Sequence, residues 1–345
     1  MPIPLLSPAP LPALTANYQA PPATQAPNDL SHWNNPNHAP YRFAVIGDAG
    51  TGDQNQAAVA RQLSLSQQAT PFESVLVLGD NVYQNGEPAL FQERIAKPYQ
   101  DLIRRQVKFY PVLGNHDVKQ GYGNWQLAYW GVPEFYHYKL GPQGAETEFW
   151  ALDTNLLIPG PDEMSGENPV IRAQKAAYQL KWLEQTLANS TATMKVVYGH
   201  HPMHSRGADA KLQRSWQQTV MAQQLGPLFE QYGVDLYMAG HEHHYEKPTA
   251  INGVNYLVSG AAGKLDTPTR GSQEGNGLIK QLHMMLFEIT PQGLAYRTIS
   301  ANGTLLDCGL IPRKPKPSVT AWPNSFYWNP LVGGTQGGIP SIQNR

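Results

Sequence analysis

The chain has 345 residues, of which 41% are hydrophobic, so it is long enough for one large α/β domain with extensions. Its formal net charge is −1 and charged residues make up only 15% of it, which argues against a dedicated nucleic-acid-binding protein, since such proteins normally carry a basic face. The single cysteine, Cys308, excludes an internal disulfide and a metal site built from several thiolates. No stretch approaches the uninterrupted apolar run of about 18 residues that a transmembrane helix requires, so we predict none.

The two ends of the chain differ in composition from the rest. The first 40 residues contain ten prolines and one charged side chain, which predicts an extended, polyproline-like arm. They lack a basic region before the apolar run and are therefore a poor match to a signal peptide. Residues 313–345 are also rich in proline and glycine, but their aromatic side chains predict that part of this tail packs on the core. We therefore predict a folded domain over residues 41–312, between an arm (1–40) and a tail (313–345).

The first part of this domain alternates between β-rich and helical segments. We predict three strands, from the runs YRFAVIGD, ESVLVLGD and VKFYPVLGNHD. Helical patterns lie between them, in QNQAAVARQLSLSQQ and in PALFQERIAKPYQDLIRR, where Pro98 should kink or break the helix. This alternation predicts parallel strands with crossover helices.

The rest of the domain starts with two consecutive strands and then returns to the alternation of strands and helices. We predict two aromatic strands, with an antiparallel pairing left open, from EFYHYKLG and EFWALDTN, and a long amphipathic helix from NPVIRAQKAAYQLKWLEQTLANS. A strand, a helix and a strand follow, in MKVVYGHH, KLQRSWQQTVMAQQLGPLFEQYG and VDLYMAGHEHH. Three further strands are predicted from VNYLVSGAAG, LHMMLFEIT and LAYRTIS.

Five of the predicted strands end in polar residues. The strand ends read GDAG, GDNVY, GNHD, VYGHH and GHEHH. A single such end is most often a turn, because Asp and Asn favour turns, but open α/β sheets also bind ligands at the carboxyl ends of their strands. Oxygen and imidazole donors without thiols suit iron, manganese or zinc. The joint occurrence of five such ends therefore predicts a site for two metals, as in many enzymes of phosphoryl transfer.

These motifs resemble the signature of the purple acid phosphatases, a family of metallophosphoesterases. The ordered set D-x-G, G-D-x-x-Y, G-N-H-[DE], V-x-x-H and G-H-x-H is present at Asp48–Gly50, Gly79–Tyr83, Gly114–Asp117, Val197–His200 and Gly240–His243. The segments LDT at 152–154, GHHP at 200–203 and LVSGAAG at 257–263 are similar to the small, mammalian-type tartrate-resistant branch. The resemblance covers residues 41 to about 300 and leaves the arm and the tail unexplained.

The resemblance implies which residues hold the metals. The ligands of the first metal would be Asp48, Tyr83 and His243. Those of the second would be Asn115, His200 and His241, and Asp80 would bridge the two metals. Two anionic ligands, one of them a phenolate, favour Fe³⁺ at the first site, whereas neutral ligands favour Fe²⁺, Zn²⁺ or Mn²⁺ at the second.

The resemblance also implies residues that act on the substrate. His116 would face the substrate and protonate the leaving oxygen, with the Asp117 carboxylate orienting its ring. We predict His204 as a second catalytic and substrate-binding residue and Arg206 as an alternative phosphate contact. His201 and His244 each adjoin a predicted ligand and are expected to support it from behind, because neighbouring residues on a strand point in opposite directions.

The implied fold is α/β: a four-layer α/β/β/α metallophosphoesterase sandwich with mixed sheets. The implied activity is hydrolysis of phosphate monoesters by in-line attack of a metal-held hydroxide, with an acid-side optimum. Two alternatives stay open, a phosphodiesterase acting on cyclic nucleotides or nucleic acid and a non-catalytic metal-binding scaffold. We expect a monomer that binds a small phosphate ester and neither nucleic acid nor a membrane. Family resemblance favours an extracytoplasmic location, although the sequence has no clear signal peptide.

Overall fold

In the computed structural model, two mixed β-sheets pack face to face and helices cover their outer faces. The structure describes residues 41–142, 146–158, 167–206, 215–265 and 277–314. The strands, in chain order, are β1 (Tyr41–Ile46), β2 (Ser74–Val77), β3 (Lys108–Pro111), β4 (Tyr136–Leu140), β5 (Thr147–Ala151), β6 (Met194–Tyr198), β7 (Leu236–Ala239), β8 (Tyr245–Ile251), β9 (Val254–Ser259), β10 (Leu278–Ile279), β11 (His283–Thr290), β12 (Gly293–Ser300) and β13 (Leu305–Pro312). The helices are α1 (Gln54–Ala69), α2 (Gln100–Arg104), α3 (Asn115–Val118), α4 (Gly123–Trp130), α5 (Pro169–Asn189) and α6 (Ser215–Gln231).

The first sheet is parallel at one edge and antiparallel at the other, whereas the second has a parallel centre between antiparallel edges. The first sheet has the order β13-β12-β11-β1-β2-β3, in which β1, β2 and β3 run parallel. The second has the order β10-β8-β9-β7-β6-β5-β4, in which β5, β6, β7 and β9 run parallel. Helices lie between β1 and β2, β2 and β3, β5 and β6, and β6 and β7, as the alternating sequence pattern predicts, whereas β8 connects β7 to β9.

Alternation along the strands builds the layers. In β1, Phe43 and Val45 belong to the core between the sheets, whereas Ala44 and Ile46 pack in the core beneath α1 and α2. Phe43 also meets Phe149 of the second sheet edge-on, with ring centroids 5.3 Å apart. A third core lies between the second sheet and the helices α5 and α6. The predicted four-layer α/β/β/α sandwich is therefore confirmed.

The structure differs from the predicted elements where the hydrophobic pattern of the sequence is weak. The segment around Pro98 is broken as expected, into a five-residue π-helix (Gln92–Ala96), a turn and α2. Strands β8, β10 and β13 and helices α3 and α4 were not predicted. Strand β8 has two buried residues at its start and none after them, and it contains Pro248 at a shift in its pairing with β9, so its hydrogen bonds rather than its hydrophobic pattern define it.

The predicted arm lies outside the described residues, as does the tail beyond residue 314, and the domain boundaries at 40 and 312 stay predictions. At the start of the tail, Lys314 donates to the carbonyl oxygen of Val234 at 2.7 Å and lies 3.4 Å from the Asp235 carboxylate. Among the described helices, none has the length and hydropathy that a membrane crossing requires.

Candidate metal centre

The two sheets bring their polar strand ends together at one end of the sandwich. Loops after β1, β2 and β3 of the first sheet meet loops after β6 and β7 of the second. The approach is so close that a Cβ on Gly47 would collide with the carbonyl oxygen of Ser259, and one on Gly240 would collide with the Asp48 carboxylate. Glycine at these two positions therefore allows the sheets to converge.

Three predicted ligands form a first cluster of donor atoms. The Tyr83 Oη atom lies 3.1 Å from Asp48 Oδ1 and 3.3 Å from His243 Nε2. His243 Nε2 lies 3.5 Å from Asp48 Oδ1, and all three side chains are buried. This is the set that the sequence predicts for the first metal.

Three other predicted ligands form a second cluster. His200 Nε2 lies 3.1 Å from Asn115 Oδ1 and 3.1 Å from His241 Nδ1. The other ring nitrogen of His200 donates to the carbonyl oxygen of Leu78 at 2.8 Å. This bond fixes the tautomer, so the Nε2 lone pair faces the cluster, as in most histidines that bind metals.

Asp80 lies between the two clusters. Its Oδ1 atom is 3.4 Å from His200 Nε2 of the second cluster, and one of its carboxylate oxygens lies within 4.8 Å of donor atoms of Asp48 and His243 in the first. A Cβ on Gly114 would collide with the Asp80 carboxylate, so glycine before Asn115 leaves room for it. The position of Asp80 matches that of the predicted bridging ligand.

The electrostatics of the site fit bound cations. Burial and the charge of Asp80 raise the pKa of Asp48 well above its usual range. Burial also acts to raise the pKa of Asp80, but His200 and His116 outweigh it and lower this pKa. Within the described ranges, neither carboxylate has a Lys or Arg at ion-pairing distance. Two buried carboxylates among a phenol, an amide and three imidazoles therefore form a donor set that suits two borderline metal ions.

The backbone at three of these residues adopts a conformation that side chains rarely allow. Asp48, Asp80 and His241 have φ values of 56°, 53° and 69°, in the left-handed region. Strain of this kind concentrates at functional sites, where it is retained because the surroundings hold it. The three predicted ligands are thus aimed into the site at a conformational cost.

His116, the predicted proton donor, lies beside the clusters. Its Nδ1–H donates to the carbonyl oxygen of Gln84 at 2.6 Å, and its Nε2 atom lies 4.0 Å from Asp80 Oδ2. Its ring packs on the Tyr83 ring, with centroids 4.4 Å apart. The bond to Gln84 leaves Nε2 as the ring nitrogen that faces the donor cluster.

Asp117 does not orient His116 in the predicted way. Its buried carboxylate accepts hydrogen bonds at 2.8 Å from Gly114 N, at 3.0 Å from Val82 N and at 3.0 Å and 3.1 Å from Asn81. Burial and the charge of Asp80 raise the pKa of Asp117 to about 7. Asp117 therefore joins the loop after β2 to the loop after β3, and so fixes the ligands of both clusters relative to each other.

The two remaining histidines of the motifs differ in their surroundings. His201 lies 2.8 Å from Thr154 Oγ1, and its ring centroid is 4.5 Å from that of His241. Its donor atoms group with those of His200 and His241, so His201 adjoins the second cluster rather than pointing away from it. His244 contacts Glu246 Oε1 at 2.8 Å, behind the site.

The structure does not bring His204 and Arg206 into the donor clusters. The His204 ring packs edge-on against Tyr256 of β9, with centroids 4.4 Å apart. The Arg206 side chain reaches Glu246 and Thr249 of β8, at 3.5 Å in each case. Their substrate contacts stay predictions.

Several residues at the site were not found from the sequence. Thr154 accepts hydrogen bonds from the backbone of His200 and His201, at 3.2 Å and 3.1 Å. Lys264 places its ammonium 4.6 Å from the centroid of the Tyr83 ring. Thr154 belongs to the LDT segment, and Lys264 directly follows LVSGAAG, so adjacency to these two segments is the signal that could have found them.

Comparison with known proteins agrees with this geometry. The model of the calcineurin-like phosphoesterase family matches residues 41–245. Human tartrate-resistant acid phosphatase type 5 is 28% identical to the chain over 307 residues, which cover 80% of this chain and 92% of the human protein.

Two solved structures share the fold at low sequence identity. Purple acid phosphatase PPD1 from yellow lupin seeds has a TM-score of 0.63 at 16% identity, covering 80% of this chain and 54% of that one. GAP50, the anchor in the inner membrane complex of Plasmodium, has a TM-score of 0.66 at 20% identity, covering 81% of this chain and 90% of that one. By its matched family model, the chain belongs to the calcineurin-like phosphoesterase family, and its relatives include tartrate-resistant and purple acid phosphatases.

Proposed function

We propose that the protein is a phosphatase that hydrolyses phosphate monoesters at a two-metal centre. The observation that carries this proposal is the arrangement of the donors: two buried clusters with Asp80 between them and His116 beside them. The relationship to tartrate-resistant acid phosphatases supports the same activity. We propose a small phosphate ester as substrate, a monomeric enzyme, no nucleic-acid or membrane partner and an extracytoplasmic location.

The chain's own residues would position the reactants. When bound, two metals would supply an acidic water and neutralise charge on the phosphoryl oxygens. Asp117 would keep the loops that carry the ligands in register, since it accepts hydrogen bonds from the loops on both sides. Because Nδ1–H of His116 donates to Gln84, Nε2 is the nitrogen that would take up a second proton, and the imidazolium so formed would direct that proton at the leaving oxygen.

A comparison of two substrates tests the proposed function. We expect the purified protein to hydrolyse p-nitrophenyl phosphate far better than bis(p-nitrophenyl) phosphate. Chelation should lower the rate by ~10²-fold or more, because metals supply several kcal/mol of transition-state stabilisation, and metal addition should restore it. Elemental analysis of the same samples gives the metals per chain.

Each rival function has its own outcome in this experiment. Preferential cleavage of the diester would point to a phosphodiesterase. A chain that holds two metals but cleaves neither ester would be a metal-binding scaffold, and GAP50 shows that the fold also occurs in an anchor protein.

We further propose Fe³⁺ at the first site and Fe²⁺, Zn²⁺ or Mn²⁺ at the second. Tyr83 supports this proposal, because its phenol oxygen lies among the anionic and imidazole donors of the first cluster, and a phenolate is a hard ligand that favours a trivalent ion.

Colour tests the assignment of Fe³⁺. A Tyr83 phenolate bound to Fe³⁺ should give a visible charge-transfer band, so we expect a violet or pink protein. Tyr83→Phe should bleach it while keeping some activity, because the other ligands remain. Tyr41→Phe is the matched control. Tyr41 begins β1, at the end of this strand that points away from Asp48, so its replacement should leave the band unchanged. A colourless, iron-free wild type with full activity would instead indicate two divalent metals.

A further inference from the structure

A cavity of about 370 Å³ opens beside the metal centre. Its walls include Tyr83, a predicted ligand, and Gln84, whose carbonyl oxygen accepts the hydrogen bond from His116. The cavity therefore adjoins the side of the centre on which His116 would meet the leaving group of a phosphate ester.

One wall of the cavity carries Lys264. Its ammonium group lies 4.6 Å from the centroid of the Tyr83 ring. Burial has the largest effect on two groups near Lys264: it raises the pKa of Asp48 and lowers the pKa of His116. The positive charge of Lys264 lowers the pKa of both groups. Its position is set by Gly263, where a Cβ would lie 2.7 Å from the carbonyl oxygen of Ala49.

Arg94 faces the same cavity from the π-helix. Its guanidinium group packs on Gly52, where a Cβ would collide with it. Its Nε atom is buried and, among the described residues, has no hydrogen-bond partner. Single-turn π-helices are rare and frequently occur at functional sites, because the wide turn redirects a side chain.

These two cations interact electrostatically with carboxylates that do not line the cavity, Arg94 with Glu87 and Lys264 with Asp48, but they form no ion pair with them. Within the described part of the chain, no carboxylate lies at ion-pairing distance from either. The wall also contains one acidic residue, Asp53, whose carboxylate is already hydrogen-bonded. It caps α1 by accepting hydrogen bonds from Asn55 N at 3.0 Å and Gln56 N at 3.1 Å, and it accepts a third from Thr51 Oγ1 at 2.6 Å. The cavity is thus suited to an anion.

We propose that Lys264 and Arg94 form a subsite for a second anionic group of the substrate. The preferred substrates would then be phosphate monoesters whose leaving group carries a further phosphate or carboxylate. This inference rests on the proposed phosphatase function, because the metal centre must hold the phosphoryl group while the leaving group extends past His116 into the cavity. An arginine and a lysine together suit this task, since both donate charge-assisted hydrogen bonds to carboxylate and phosphate oxygens.

Equilibrium binding of phosphonates to the metal-loaded protein tests the subsite without turnover. Propylphosphonate and 3-phosphonopropionate share one phosphonate and the same chain length, and only the second carries a distal carboxylate. We expect calorimetry to find the carboxylate ligand bound about tenfold more tightly, as one charge-assisted contact would give, with the difference shrinking as salt is added. Propane-1,3-bisphosphonate replaces the carboxylate by a phosphonate, and a still larger gain would identify a phosphoryl subsite.

Charge-removing variants then assign the effect to the two residues. Lys264→Met and Arg94→Met keep an apolar stem, and each should reduce the roughly tenfold affinity ratio to threefold or less. In Arg94→Met, binding of propylphosphonate itself should stay near the wild-type value. Lys264 also lies over the Tyr83 ring, so for Lys264→Met only the ratio of the two affinities within that variant is compared. Lys97→Met removes an exposed cation next to the same π-helix and should leave the ratio unchanged. Equal affinities of both ligands for the wild type, or an equal loss for both in the variants, would overturn the subsite.

Rates measured on the same samples separate this inference from the proposed function. If the wild type binds the ligands with the expected ratio but hydrolyses no phosphate ester, the subsite stands and the phosphatase proposal fails. If it hydrolyses monoesters but shows no preference for a second anion, the phosphatase stands and the subsite fails.

Discussion

Replacing Asp80 with alanine is expected to remove much of the bound metal and nearly all of the phosphatase activity. Asp80 lies between the two donor clusters, with His200 on one side and Asp48 on the other. A terminal ligand serves one metal, whereas the loss of a bridge weakens both sites and lets their spacing relax. The rate should fall by ~10²–10⁴-fold, because metal ions contribute several kcal/mol to the stabilisation of the transition state. Elemental analysis and turnover of p-nitrophenyl phosphate measure the two effects on one preparation.

Three companion variants make this experiment specific. Asp80→Asn retains an acceptor for the backbone N–H of His116, which donates to Asp80 Oδ1 at 3.0 Å, and so separates the loss of charge from the loss of that hydrogen bond. His241→Ala should deplete chiefly the second metal. Asp101→Ala removes an exposed carboxylate whose partner is Arg104, and it should change neither metal content nor rate. If Asp80→Ala kept two metals per chain, the bridging role would be wrong.

The residues of the donor clusters could be predicted because each directly follows a strand whose pattern is strong. A sheet with parallel strands brings their carboxyl ends to one edge whatever the loops do, so Asp48, Asp80 and Asn115 had to lie near one another. The four layers were implied by the family resemblance, and the structure gives their physical basis, since alternating residues such as Phe43 and Ala44 face different layers.

The role of Asp117 was harder to predict because it depends on a single turn of helix. Asp117 lies in α3, where successive side chains point about 100° apart, so adjacency to His116 does not bring the two side chains together. The turn instead directs its carboxylate back at Gly114 N, 2.8 Å away. The partner of His116 is a backbone carbonyl, that of Gln84, which a sequence does not reveal.

The cavity beside the centre could not be predicted because it is made by three separated segments. Lys264 and Arg94 are 170 residues apart in the chain, and neither belongs to a recognised motif. Both line the same cavity because of two contacts between distant segments. Gly263, next to Lys264, packs against Ala49, and Arg94 on the π-helix packs against Gly52. Such contacts depend on loop conformation, which composition and periodicity do not specify.

Replacing His116 with alanine is expected to slow alkyl phosphates far more than aryl phosphates. An alkoxide leaving group needs a proton in the transition state, whereas p-nitrophenolate leaves well without one. General acid catalysis typically contributes ~10²–10⁴-fold, so kcat/KM for glycerol phosphate should fall by about that factor and that for p-nitrophenyl phosphate by much less. The geometry supports this role, because Nδ1 is bonded to Gln84 and Nε2 lies 4.0 Å from Asp80 Oδ2, facing the donor clusters.

The competing view is that His116 only binds phosphate charge. It predicts similar losses for both esters, with a higher KM for each, since the same phosphoryl group is bound in both cases. His137→Asn serves as the matched control: this histidine lies on β4, where it contacts Glu148 at 2.9 Å, and its removal should leave the ratio of the two rates unchanged. Metal analysis of His116→Ala must accompany the kinetics, because the backbone N–H of His116 donates to Asp80 and a shifted loop would deplete metal. With metal content intact, unequal losses establish proton donation by His116, and equal losses leave it as a binding residue.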